Sequence, residues 1–264
     1  MTHQPAPTHE FLLRANDVIR KTLQELRPVL LKASGEIEHK VKPDDTVVTQ
    51  MDLMAEQTIH AALAELDPSI GLAGEETGAD FEQPLVWLVD PIDGTEPFVR
   101  GLPFFTNMIA LIHNGAPIMG VIYNPTFDEY FLAIKGHGTT MNGHPISVSQ
   151  RTMKQAFVVN GSKFTDPHLQ GITGRLRAQV KSISGYGGAG YTFTSIARGA
   201  IEGFLSYGTS AKQWDMAPGT LLVQEAGGIV TNVGSGDYNY MNTDLIAANP
   251  TIHPDLDAFI NTQL

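Results

Sequence analysis

One apolar run that ends in two carboxylates constrains the fold more than any other stretch of this sequence. Residues 85–89 are uniformly apolar, which predicts a buried strand. Asp90 and Asp93 follow directly, and then Gly94 and Thr95, where the chain turns away. Because α/β proteins place their functional groups where strands end, we expect a functional site at this point.

The two carboxylates need a positive partner. They cannot both be buried as bare anions, because an unpaired buried charge is very costly. Lysine and arginine are absent from residues 85–99, so a divalent cation is the simplest partner, and all-oxygen ligands favour Mg²⁺. A helix that begins near Pro97 would direct the N–H groups of Gly94 and Thr95 at the same spot, which favours phosphate. The alternative is an ordinary Asp-Gly turn.

Charge and composition limit the possible partners. The 264 residues include 17 Lys+Arg and 28 Asp+Glu, and the formal net charge of −11 argues against a general affinity for nucleic acid or membranes. The chain has no cysteine, which excludes disulfides, thiolate metal sites and a cysteine nucleophile. No segment reaches the roughly 18 apolar residues of a membrane helix, and the first residues lack signal-peptide features. We therefore expect a cytoplasmic protein.

Hydrophobic periodicity predicts a different organisation in each half of the chain. In the first half it predicts helices at 9–32, capped by Thr8, and from about 52 to 66, and strands at 70–74, 85–89, 106–113, 118–123 and 129–134. In the second half it predicts strands at 156–160, 180–183, 203–207, 228–231 and 245–248, and helices at 167–177, 189–199, 215–226 and 254–261. We expect an α+β unit at residues 1–148, with helices on an antiparallel sheet, and an α/β unit at residues 149–264.

Two further acidic positions lie where predicted elements begin or end. Asp52 falls at the start of the second helix, where complementing the helix dipole is the alternative to a functional role. Glu75 and Glu76 follow the strand at 70–74, and one of them could reach the same metals as Asp90. The alternative is that both glutamates are solvated.

Asp215 is the third acidic position of this kind. It precedes Pro218, and a proline in the first turn would place Asp215 at the very start of its helix. Helix capping is again the alternative.

Three separated motifs resemble the inositol monophosphatase family, which contains lithium-sensitive, magnesium-dependent phosphomonoesterases and includes fructose-1,6-bisphosphatases and histidinol phosphatases. They are Gly74-Glu75-Glu76, Asp90-Pro91-Ile92-Asp93-Gly94-Thr95 with Phe98, and Trp214-Asp215-Met216-Ala217-Pro218-Gly219. The resemblance spans nearly the whole chain in the family's order. It implies the layered αβαβα sandwich of inositol monophosphatases and fructose-1,6-bisphosphatases, an α+β and α/β fold.

The resemblance also implies a role for each motif residue. One metal would be held by Glu75, Asp90 and the Ile92 carbonyl, and a second by Asp90, Asp93 and Asp215. A third, weaker ion would lie near Glu75, so two to three Mg²⁺ ions are expected per site. Glu75 and Thr95 would orient the attacking water, Asp52 would hydrogen-bond Thr95, and no covalent phospho-enzyme would form. Substrate or phosphate would be bound by Asp93, Gly94, Thr95, Gly188, Ala189, Lys212 and Asp215.

One departure from the family leaves the substrate open. The family's inositol-binding glutamate lies shortly before the Trp-Asp pair, whereas residues 204–213 contain no acid. The resemblance therefore implies a small phosphorylated metabolite, either an inositol monophosphate-like compound or a sugar phosphate. Histidinol phosphate is the alternative within the family. In this stretch Lys212 could meet an anionic group, or it could simply be solvated.

Two other classes of protein compete with this interpretation. Aspartyl-phosphate phosphatases need the nucleophilic aspartate two residues before the second aspartate, and position 91 is proline, so that class does not fit. A metal-binding regulatory or scaffold protein remains the non-enzymatic alternative. The resemblance further implies a homodimer and inhibition by Li⁺.

Overall fold

Helices and sheets alternate in five layers along the described residues, which in this computed structural model are 5–41, 47–78, 83–162, 167–185 and 187–263. The helices are α1 His9–Ala33, α2 Gln50–Leu66, α3 Thr95–Val99, α4 Pro167–Arg177, α5 Ala189–Ala197, α6 Gln213–Glu225 and α7 His253–Asn261. The first strands are β1 His39–Val41, β2 Val47–Thr49, β3 Gly71–Gly74, β4 Leu85–Asp93, β5 Thr106–His113, β6 Ala116–Asn124, β7 Glu129–Ile134, β8 Thr139–Met141 and β9 His144–Pro145. The later strands are β10 Phe157–Asn160, β11 Ser182–Ser184, β12 Gly203–Ser206, β13 Ile229–Asn232 and β14 Leu245–Ala248.

The first large sheet has the strand order β3-β4-β5-β6-β7-β8-β9. Strands β4 to β9 pair antiparallel, so the meander predicted over 106–134 is confirmed. The expectation of an entirely antiparallel sheet is wrong at one edge, where β3 and β4 run parallel. Residues 75–84 connect these two strands, and parallel neighbours need a connection longer than a two-residue hairpin turn.

Helices α1 and α2 cover one face of the first sheet. The buried residues of α1 recur every three or four positions and share one hydrophobic cluster with α2 and with residues of β4 to β7. The Thr8 hydroxyl accepts the N–H of Phe11 at 3.2 Å, which confirms Thr8 as the helix cap. The buried face of α2 differs from that of α1, because it carries Asp52 and Glu56 among its apolar residues.

The second large sheet is mixed, with the order β11-β10-β12-β14-β13. Strands β11, β10 and β12 are parallel, and β14 pairs antiparallel with both β12 and β13. Side chains along β14 alternate in direction: Leu245 and Ala247 pack with α5 and α6, and Ile246 and Ala248 pack with α4 and α7. The layers are therefore α1/α2, first sheet, α5/α6, second sheet and α4/α7, the expected αβαβα sandwich.

Helix α6 lies between the two sheets and begins earlier than predicted. Its N-cap is Lys212, so Pro218 lies in the second turn, and the prediction of a first-turn proline is wrong. The Lys212 N–H donates to Asp215 Oδ2 at 2.7 Å, which closes the first turn ahead of the proline. Asp215 is in this first turn, although it is the third helical residue rather than the first.

The middle layer of helices contacts both of the units predicted at residues 1–148 and 149–264. Helices α5 and α6 pack on both sheets, and the segment that joins the sheets contains residues 148 and 149. The boundary between these residues stays a prediction.

Among the described helices, none combines the length and the apolar character needed to cross a bilayer.

We predict that Gly120→Ala displaces α6 from the first sheet. A Cβ at Gly120 in β6 would lie 2.7 Å from the Pro218 carbonyl oxygen, so the variant should lose about 1–3 kcal/mol of unfolding free energy in urea titrations. Gly174→Ala in α4 is the control, because a Cβ there has nothing within 4 Å. It should be neutral or stabilising by up to about 1 kcal/mol. Equal stability of the two variants would contradict the prediction.

Candidate active site

Strand β4 delivers two carboxylates to one site through a β-bulge. All nine of its residues are buried, and it continues past the predicted end at Val89 as far as Asp93. In a regular strand Asp90 and Asp93 would point to opposite faces. Asp90 lies opposite Met108, but Asp93 lies opposite Thr106, so β4 holds one extra residue here. The bulge lets both carboxylates face the same site.

Pro91 explains why the bulge occurs at this position. Proline has no N–H to give to a central strand and is found at bulges and edges. The Pro91 carbonyl accepts a hydrogen bond from Asn107 Nδ2, and the Ile92 N–H donates to Asp90 Oδ1 at 3.1 Å. These two bonds replace the regular ladder and fix the turn of the chain between the acids.

Asp93 links the first sheet to α5. Its Oδ1 accepts the N–H of Ala189 at 2.8 Å, and its Oδ2 accepts the N–H of Gly190 at 2.9 Å and the hydroxyl of Thr106 at 2.8 Å. Unpaired N–H groups and the helix dipole favour a carboxylate at this terminus. A Cβ on Gly188 would overlap the Asp93 carboxylate, so only glycine leaves room for the contact.

The same contacts occupy two groups that were predicted to bind phosphate. The Gly188 N–H donates to the Phe104 carbonyl at 3.2 Å, and the Ala189 N–H donates to Asp93. Both donors therefore have acceptors within the protein. The phosphate-binding roles of Gly188 and Ala189 stay predictions without support from these contacts.

Gly94 and Thr95 are placed differently. Gly94 is the N-cap of α3 with a φ of +81°, a conformation that suits glycine. Among the described residues, the backbone N–H groups of Gly94 and Thr95 have no acceptor. These two donors are therefore available to an anion beside the acids.

The Thr95 hydroxyl contacts two groups near the bulge. It lies 3.0 Å from the Ile92 carbonyl oxygen and 3.4 Å from Asp52 Oδ1. Asp52 Oδ2 accepts the Thr49 N–H at 2.7 Å and the Thr49 hydroxyl at 2.6 Å. Asp52 therefore caps the first turn of α2 and also contacts Thr95. A role at the helix terminus and a role in the site are thus compatible.

Glu75 joins this group from the end of β3. Its N–H donates to the Val89 carbonyl at 3.2 Å, which puts its backbone beside the end of β4. The negative charge of Glu75 raises the pKa of Asp90, Asp93 and Asp215. Of the two paired glutamates, Glu75 is thus the one that shares the site with these three acids.

Burial and mutual repulsion shape the ionisation of these acids. Burial and the charges of the neighbouring acids raise the pKa of Asp90 well above its usual value. Burial also raises the pKa of Asp52 and Asp93 to about 6 and that of Asp215 to about 7, against the opposing effect of hydrogen bonds. Asp90 and Asp215 lie close enough to affect each other's pKa. The site therefore holds several carboxyl groups in close proximity.

This donor set fits a hard divalent cation. The main causes of the pKa shifts are burial, other acids and hydrogen-bond donors, with no lysine or arginine side chain among them. Clustered anions of this kind attract a cation, and carboxylate and carbonyl oxygens suit Mg²⁺. Within the described ranges, no three His, Asp or Glu side chains already form a complete ligand cage. Asp93 and Asp215 instead accept backbone N–H groups.

A cavity of about 630 Å³ adjoins the acids. Asp93 and Asp215 lie in its wall, and much of the remaining wall is apolar, including Leu102, Phe104, Val159, Phe204 and Met216. Arg100 and Glu96 also contact it and pair with each other. Its size is in the range of small-molecule binding sites.

Lys212 adjoins the cavity, because its neighbour Ala211 and its hydrogen-bond partner Asp215 form part of the wall, but its own side chain does not. Its side chain is exposed, and its backbone N–H donates to Asp215. Its proposed contact with substrate stays a prediction.

Sequence reasoning missed two buried residues that support the site. Thr106 donates to Asp93, and Glu56 accepts the N–H groups of Glu76 and Thr77 at 2.9 Å each. Glu56 had a detectable signal, because an acid interrupts the apolar face of a predicted helix. Thr106 had none, because its importance comes from pairing with the bulge.

Comparisons of sequence and of structure with known proteins point to one family. A sequence profile of the inositol monophosphatase family matches residues 8–264. An inositol-1-monophosphatase of Mesorhizobium japonicum is 35% identical over 231 residues, which covers 83% of this chain and 85% of the relative. The extragenic suppressor protein SuhB of Bartonella henselae has a TM-score of 0.86 at 29% identity, covering 95% of this chain and 100% of that chain. An IMPase/NADP phosphatase complexed with Mg²⁺ and phosphate shares the fold, with a TM-score of 0.85 at 21% identity and coverage of 95% and 96%.

We predict that the metal-free protein loses stability as the pH rises. The folded-state pKa of Asp52, Asp93 and Asp215 lies at about 6 to 7, above the ordinary 3.8. Between these values the folded state binds more protons than the unfolded state, so the unfolding free energy falls as the pH rises through this window. Urea titrations in EDTA at pH 5 and pH 8 should show the loss.

Two comparisons isolate the acids in this experiment. Asp215→Asn should reduce the difference in unfolding free energy between pH 5 and pH 8, because it removes one titrating group. Added Mg²⁺ should restore more stability at pH 8 than at pH 5, because protons compete with the metal. An unchanged pH dependence in Asp215→Asn would contradict the prediction.

Proposed function

Because this chain belongs to the inositol monophosphatase family, we propose that it is a phosphoric monoester hydrolase that uses divalent metal ions to release phosphate from a small metabolite. One observation carries the proposal. Glu75, the Asp90–Asp93 pair and Asp215 come from three distant segments and share one site beside a cavity. A convergence of this kind is expected of a metal-dependent active site.

We propose the metal ligands that the family resemblance implies. Glu75, Asp90 and the Ile92 carbonyl would hold one Mg²⁺, and Asp90, Asp93 and Asp215 a second. A third ion would lie near Glu75. When bound, such ions stabilise negative charge on a phosphoryl group and lower the pKa of water. The Mg²⁺ and phosphate in a protein of the same fold support a divalent metal.

The chain's own groups would orient the reactants. The Thr95 hydroxyl is fixed between the Ile92 carbonyl and Asp52, so its direction suits it to hold the attacking water together with Glu75. No group in the described part of the chain accepts the N–H groups of Gly94 and Thr95, so both can donate to phosphate oxygens. We propose direct attack by this water, without a phosphorylated enzyme.

The cavity bears on the choice of substrate. An inositol ring presents only hydroxyl groups, whose recognition needs polar partners. The larger part of the cavity wall is apolar, with Leu102, Phe104, Phe204 and Met216, and polar side chains such as Asn160, Thr192 and Ser206 form the smaller part. The apolar side chains support a leaving group with an aromatic or apolar part. They favour histidinol phosphate, which carries an imidazole ring, over inositol monophosphate or a sugar phosphate.

Three further expectations rest on the sequence and the family resemblance alone. They are a cytoplasmic location, a homodimer and inhibition by Li⁺, and each stays a prediction.

We predict Mg²⁺-dependent phosphate release that is lost in Asp90→Asn. Purified protein should be assayed on histidinol phosphate, inositol 1-phosphate, fructose 1,6-bisphosphate and an adenosine bisphosphate. The variant should lose about 10²-fold or more in kcat/KM, because it removes a charge that the metals require. Asp17→Asn, at an exposed position of α1, should keep wild-type activity.

The panel also separates the alternatives. The highest kcat/KM should be found with histidinol phosphate, and a clear preference for inositol 1-phosphate would contradict the argument from the cavity wall. Inactivity of wild type on every compound, with Mg²⁺ present, would favour the regulatory or scaffold role.

We predict that tens of millimolar Li⁺ reduces the phosphatase activity at saturating Mg²⁺. The expected site of action is the position held by Asp90, Asp93 and Asp215. Potassium chloride at equal ionic strength is the control, and identical rates in the two salts would contradict the prediction.

A further inference from the structure

Helix α2 carries polar side chains along the face that it buries. Asp52, Glu56 and His60 follow one another at intervals of four residues, so they lie on one side of the helix. Glu56 is 0% exposed, and a buried carboxylate is costly unless donors compensate it. The donors to Glu56 lie in the loop that carries Glu75.

The Glu56 carboxylate fills this loop. Its Oε2 accepts the N–H of Glu76 at 2.9 Å, and its Oε1 accepts the N–H of Thr77 at 2.9 Å. Two reciprocal backbone bonds between Gly74 and Gly78, of 3.1 and 3.0 Å, close the loop. A Cβ on Gly74 would lie 2.5 Å from Glu56 Oε2, so a glycine at this position leaves room for the carboxylate.

Glu75 is held between these contacts and β4. Its own N–H bonds the Val89 carbonyl, and the next two N–H groups bond Glu56. The N–H groups of residues 75, 76 and 77 are thus all hydrogen-bonded. The contact with α2 therefore restricts the orientation of the Glu75 side chain.

We propose that Glu56 is a positioning residue, which fixes the loop at 74–78 so that Glu75 joins Asp90 in binding a divalent cation. The inference rests on the proposed function, because it takes Glu75 as a metal ligand. Two acceptor oxygens are required, since both loop amides donate. Glutamine has one acceptor oxygen and would turn its NH₂ group toward the second amide.

Calorimetric titration of the metal-free protein with Mn²⁺ tests the proposal. The proteins compared are wild type, Glu56→Gln, Glu75→Gln and Glu65→Gln. Glu65 is exposed on the same helix, so Glu65→Gln should bind as wild type does. Glu75→Gln should lose at least about tenfold in affinity. Glu56→Gln should lose about tenfold, as is typical of residues that orient metal ligands.

Amide hydrogen exchange without metal gives a second readout. The N–H groups of Glu76 and Thr77 should exchange faster in Glu56→Gln than in wild type, and at the wild-type rate in Glu65→Gln. Gly74→Ala provides a second variant if Glu56→Gln folds poorly. Its Cβ would press on the same carboxylate, and the same two changes are expected.

The possible results separate the two proposals. Weaker Mn²⁺ binding in Glu75→Gln, with unchanged affinity or unchanged loop exchange in Glu56→Gln, would overturn the positioning role and leave the proposed function standing. No binding by wild type, or equal binding by wild type and Glu75→Gln, would overturn the assignment of Glu75 as a ligand and the positioning role with it.

Discussion

The concentration of buried negative charge is the constraint on which the rest of the structure depends. Asp90 and Asp93 are only 2% and 7% exposed, and their pKa values rise because of burial and of neighbouring acids. Carboxylates placed in this way need donors or cations. The bulge in β4, the start of α5 and the first turn of α2 all supply hydrogen-bond donors to acids of the proposed site.

The site is consequently also a junction between layers. Asp93 on the first sheet accepts from the first N–H groups of α5, and Asp215 on α6 lies close enough to Asp93 to affect its charge state and be affected by it. Asp52 on α2 reaches Thr95 on α3. Each acid therefore connects its own element to the next one. The same contacts that satisfy the charges hold the layers in register, so the geometry of the site and the packing of the fold depend on each other.

Much of this arrangement could be predicted from sequence, and the exceptions have physical causes. The strands at 106–113 and 129–134 are found with the predicted bounds, because an apolar pattern bounded by turn residues is a local signal. Helix α6 begins two residues before its predicted start, because the Lys212 N–H bonds Asp215 and adds helical residues ahead of the turn that contains the proline. The bulge at Pro91 and the role of Glu56 depend on partners far along the chain, which periodicity does not report.

Asp93 is both an acid of the site and the acceptor for the first N–H groups of α5. This has a practical consequence for trapping intact substrate in crystals. Replacing Asp93 would remove an acid and also the acceptor of the first N–H groups of α5. The packing of α5 on the first sheet would then change, and the pocket would no longer have its native shape. Asp90 bonds the nearby Ile92 N–H and caps no helix. An inactive variant for soaking crystals with substrate is therefore better made at Asp90 than at Asp93, because the shape of the pocket is preserved.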